Sequence, residues 1–115
     1  MNDLVKRLSD GKRQVQANRP ETKAITLKER IEIGYLHILF KETGTELGIK
    51  LDSKNCDFTG CDFEKGSGTA HFEGGVKLNY ENVKCVADID LNSLEGEGYL
   101  EPIEEEQYNE IVGNG

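Results

Sequence analysis

A chain of 115 residues, 36% apolar and 31% charged, is sized for one domain with a small core of its own. It has no apolar run long enough to cross a bilayer, and its odd count of three cysteines favours a reducing compartment over a disulfide framework. Residues 1–30 carry eight basic and four acidic groups (+4) and the remainder carries −12, so the body repels nucleic acid.

The opening Met-Asn-Asp-Leu-Val-Lys-Arg lacks the apolar stretch of a secretory signal, and a cytoplasmic location is expected. Leu4, Val5 and Leu8 share one face of a short amphipathic helix that Asn2 or Asp3 caps and Gly11 stops. Lys12 to Thr22 reads as a linker, with Arg19-Pro20 set against helix. The basic segment 1–22, a β-rich domain over 23–100 and a flexible acidic tail over 101–115 are the expected divisions.

Residues 26–42 carry two signals. Thr26 to Glu29 matches a capping box, and Leu27, Ile31, Tyr35 and Ile38 recur at helical spacing. Gly34, and apolar residues on most sides of such a helix, favour a strand bulged at Gly34-Tyr35. The expectation is strand; a helix over 26–42, in an α+β fold, is the alternative.

Hairpins follow. A loop at Thr43-Gly44 pairs Phe40 with Leu47, Ile38 with Ile49 and Leu36 with Leu51, and sets Lys41 against Glu46 on the other face. A loop at Glu81-Asn82 pairs Tyr80 with Val83, Leu78 with Cys85 and Val76 with Ala87. A loop at Asn92-Ser93 pairs Ile89 with Gly96 and Cys85 with Leu100. A weaker hairpin around Ser67-Gly68 sets Phe63 opposite Phe72. Together these predict a mainly β fold: an antiparallel meander of about eight strands, a small barrel or curved sheet, with a short N-terminal helix. Gly96 and Gly98 mark tight curvature or close backbone approach.

The residues that could carry chemistry do not assemble into a known pattern. Cys56, Cys61, His71 and Cys85 are the right types for a Cys₃His zinc site, but their spacing lacks the paired short intervals of one. The expectation is reduced, metal-free cysteines. Asp88-x-Asp90-x-Asn92 opens like a calcium loop, but Ser93 and Tyr99 stand where glycine and glutamate are needed. Asn55 to Glu64 holds Cys-Asp-Phe-x-x twice and resembles two units of a pentapeptide-repeat β-helix; two copies are too few to stack, so a local repeat is the reading. His37 and His71 sit in no nucleophile–base setting, and no phosphate loop is present.

The reading is a non-catalytic protein-interaction or accessory protein with no cofactor. Its partner is another protein or a second copy, without direct nucleic-acid binding and without a membrane. An acidic nucleic-acid mimic is one alternative. A small barrel that binds an apolar ligand among Phe40, Leu47, Leu78 and Leu91 is the other.

Overall fold

The computed structural model describes residues 3–17 and 24–113. Asn2 and Arg19-Pro20 lie outside the described residues. Helix α1 (Asp3–Leu8) leads into β1 (Arg13–Ala17). Helix α2 (Ala24–Ile33) precedes β2 (Tyr35–Phe40) and β3 (Thr45–Leu51). A long strap, residues 52–68, then leads to β4 (Thr69–Leu78), β5 (Glu81–Asp90), β6 (Glu95–Pro102) and helix α3 (Glu105–Gly113). The strands close in chain order into an antiparallel barrel, with β1 joining β6 to β2. The fold is mainly β as expected, with six strands among the described residues rather than about eight.

Alternation drives this closure. Leu36, Ile38 and Phe40 on β2, Leu47 and Ile49 on β3, and Val83, Cys85, Ala87 and Ile89 on β5 all point inward and are buried. With Val15, Phe72 and Leu100 they fill the barrel interior, each large side chain contributing about 1.5–3 kcal/mol on burial. Of the four residues expected to line an apolar ligand site, Phe40, Leu47 and Leu91 are buried in this core and Leu78 is partly buried against it.

The hairpin between β5 and β6 has the expected register, Cys85 opposite Leu100 and Ile89 opposite Gly96. A Cβ at Gly96 would collide with the Asp88 carbonyl, which is the close approach expected there. The other two hairpins are displaced by an even number of residues. Leu36 pairs with Ile49 and Ile38 with Leu47, around a four-residue turn over 41–44. Val76 pairs with Val83 and Gly74 with Cys85, around a two-residue turn at Asn79-Tyr80. An even slip keeps every strand side chain on its face, so the inward set was right except for Tyr80, which falls in the turn and is exposed, while the partners were not.

Four further expectations are corrected. Residues 24–33 are helix, not strand. Gly34 ends the helix at φ 86 with its N–H on the Arg30 carbonyl (2.9 Å), and β2 starts at once. Residues 13–17 are a strand, not a linker, because Val15 and Ala17 face inward between Gln14 and Gln16. The segment 101–115 is not a flexible tail in its described part: β6 runs to Pro102, and α3 packs through buried Ile111. The Ser67-Gly68 hairpin gives way to the strap, in which Phe58, not Phe63, lies against Phe72 (ring centroids 5.3 Å apart).

Helix α1 lies by the β2–β3 turn and buries Val5 and Leu8, while α2 buries Leu27 beside the strap at the other end of the barrel. Helix α3 lies on the outer wall, where Tyr108, Ile111 and Val112 close over Gly75 of β4.

Candidate docking face

The structure disperses the four zinc candidates. Cys85 is fully buried inside the barrel, and desolvation pushes its thiol up to about 12. Cys56 and Cys61 hold the strap to β4, their thiols donating to the carbonyls of Glu73 (3.5 Å) and Thr69 (3.3 Å). Both thiols are raised, chiefly by burial. His71 is on the outer wall, with both ring nitrogens bonded to carboxylates. Among the described residues no group of three or more His, Cys, Asp or Glu is placed to hold a metal. Of the calcium-like run, Asp88 bonds His71 and Asp90 caps the following turn through the Asn92 N–H (2.8 Å). His37 packs edge-on against Tyr35, centroids 5.3 Å apart.

What the structure does build is an incompletely zipped seam. β3 is paired with β2 along six residue pairs, but with β4 only at Lys50–Gly75 and Leu51–Gly74. From there toward the turns at 41–44 and 79–80 the two strands share no ladder pair. A strand edge without its ladder partner is a template for contact with another chain. Helix α3 covers the zipped end, and the Lys77 ammonium lies 5.4 Å from the Tyr108 ring centre.

The two turns that flank the open end differ. The 41–44 turn is tied down. Glu42 accepts from Arg7 of α1 (2.9 Å) and Arg13 of β1 (3.1 Å), and those two guanidiniums hold its carboxyl below the usual range. Lys41 pairs with Glu95 of β6. The 79–80 turn instead projects. Asn79 (φ 49) and Tyr80 (φ 71) both adopt the left-handed conformation of a tight hairpin turn, and Tyr80 is fully exposed at 102%. Left-handed backbone costs an L-residue other than glycine about 1–2 kcal/mol. A large aromatic kept there, with no surface of its own chain to cover it, has the character of a contact anchor.

Sequence reasoning missed this face because it placed Tyr80 inside a strand. The available signal was Asn79, a residue type that tolerates positive φ and opens such turns. Two carboxylate clusters elsewhere are interleaved with cations: Lys84 lies between Glu73 and Glu101 (3.6 Å each), and Glu42 is clasped by Arg7 and Arg13.

No curated protein matches the chain. The family model for the core binding factor beta subunit matches residues 3–112, all but the first two and last three positions. The match takes in every element of the barrel and nearly all of α3, and the chain belongs to the core binding factor beta subunit family, whose members are non-enzymatic, protein-binding subunits.

Proposed function

We propose that this chain is the partner-binding subunit of a transcription factor: it docks on a DNA-binding protein of the RUNX kind and makes no DNA contact itself. The observation that carries the docking site is the open end of the β3–β4 seam, with fully exposed Tyr80 at its rim. The barrel supports the reading because the β2–β3 and β4–β5 hairpins are each fully paired and are joined at Lys50–Gly75 and Leu51–Gly74, so each turn projects from preformed sheet and little order is lost on docking. Charge supports it as well. A chain of net charge −8 is repelled by phosphate and attracted to the basic surface that a DNA-binding partner presents.

Calorimetric titration with a RUNX-type DNA-binding domain tests the proposal. The wild-type chain binds the domain and does not bind a DNA duplex alone. Tyr80→Ala weakens binding by about 30-fold or more, the loss expected for an aromatic anchor that a partner's pocket buries. Ile33→Ala on α2, at the far end of the barrel, leaves affinity unchanged. Equal binding by wild type and Tyr80→Ala would move the site elsewhere, and absence of binding by wild type would remove this partner class.

A further inference from the structure

Outside the seam, the outer wall of β4 and β5 carries a histidine whose surroundings demand a proton. His71 Nδ1 lies 2.8 Å from Asp88 Oδ1 on β5, and Nε2 lies 2.7 Å from Glu73 Oε2 on β4. A neutral imidazole has one N–H and one lone pair, so it can satisfy only one of these carboxylates; the imidazolium satisfies both. The remaining charges around it are mixed. Lys84 of β5 reaches Glu73 and Glu101 of β6, Glu97 of β6 is paired in register with Asp88, and Asp57 of the strap lies close enough to be stabilised by His71. The Glu73 bond raises His71 above its ordinary value; burial opposes it, and the Asp88 bond and the charges of both carboxylates add to the rise.

The backbones of the same two β4 residues carry the strap. The Asp57 N–H donates to the His71 carbonyl and the His71 N–H donates to the Asp57 carbonyl, both at 2.9 Å. The Asp52 N–H donates to the Glu73 carbonyl at 2.8 Å, the Cys56 thiol donates to that carbonyl, and the Glu73 N–H donates to Cys56 Sγ at 3.4 Å. The residues that hold the proton by their side chains thus hold residues 52–57 by their backbones.

We propose that His71 is a proton-operated latch for the strap: the imidazolium fixes β4 against β5 and seats residues 52–57, and loss of the proton loosens them. Deprotonation leaves one carboxylate facing a lone pair, and Lys84 then draws Glu73 toward itself. A histidine raised in the folded state gives its full contribution below its unfolded value. That contribution is lost as pH rises through the folded value, so the strap is seated in acid and loosens toward alkaline pH.

The test uses the full chain. The His71 ring is followed by NMR from about pH 5 to about pH 9, alongside exchange of the Asp57 amide corrected for the intrinsic rate. Asp57 protection falls about tenfold, the equivalent of one charge-assisted hydrogen bond, with its midpoint at the His71 ring titration. In Asp88→Asn the ring and amide midpoints fall together by about one pH unit. In His71→Gln the pH dependence disappears, while His37→Gln keeps the wild-type profile. Flat Asp57 protection in wild type overturns the proposal. So does pH dependence that survives His71→Gln, or an amide midpoint that stays put when Asp88→Asn moves the ring.

Discussion

Tyr80 shows how one residue can be placed against the preferences of its own backbone. The Asn79-Tyr80 turn needs positive φ at both positions, which glycine adopts without steric cost and tyrosine does not. Nothing in the barrel repays that strain through burial, since the side chain is fully exposed. Tyr80→Gly is therefore expected to stabilise the protein by about 1 kcal/mol, raising Tm by about 4–8 °C, while it weakens partner binding. Calorimetric melting checks the first half. An unchanged or lower Tm would show that the ring packs on its own chain and is no anchor.

The cysteines make the opposite point, because position rather than residue type decides their chemistry. As a set they read as possible zinc ligands, yet one lies inside the barrel and two face β4 from the strap. The buried Cys85 thiol, pushed to about 12, stays protonated at any pH the fold experiences. A maleimide reagent at about pH 8 is expected to modify Cys61 first and Cys56 more slowly, and to reach Cys85 only on unfolding. Mass mapping of the adducts would expose an error if Cys85 reacted in the native state.

At the scale of elements, what could be read from the sequence was parity, and what could not was register. Ile38 and Leu47 belong to one face whatever turn joins their strands, because side chains alternate with period two. The four-residue turn at 41–44 brings Glu42 to Arg7 and Arg13, two partners from elsewhere in the chain that the hairpin's own sequence does not show. The same limit hid the open seam, which exists only once the β2–β3 and β4–β5 registers are both fixed. For residues 26–42 each reading was right about part of the segment. The helical pattern holds to Ile33 and the strand pattern starts at Tyr35, with Gly34 between them. That glycine sits at φ 86, and a Cβ there would touch nothing within 4 Å, so the cost of Gly34→Ala is purely conformational. Urea unfolding should show a loss of about 1–2 kcal/mol with unchanged m-value. No loss would mean that the helix terminus relaxes into another conformation and does not depend on this residue.

At the scale of the whole molecule, closure depends on the shortest strand. β1 is paired to β2 through Val15, Gln16 and Ala17, and to β6 through Arg13 to Gln16. Only five residues long, it was easily taken for part of a polar linker, since its inward set is just Val15 and Ala17. Removing it would leave the facing edges of β2 and β6 unpaired and expose the interior behind them. Removing α1 with it uncovers the end that Val5 and Leu8 close. Deletion of residues 1–17 should therefore abolish cooperative unfolding rather than leave a trimmed barrel. The loss should be insensitive to salt, because the missing contributions are buried side chains and ladder hydrogen bonds, not exposed ion pairs. Ala17→Asp is the point-mutant counterpart: it places a carboxylate at a fully buried position with no partner charge, at a cost of several kcal/mol. Circular dichroism melts of both variants decide the matter. A sharp transition in the deletion variant, with a near-native strand signal, would show that β2 to β6 hold their curvature without β1 and that barrel closure is not what stabilises the docking face.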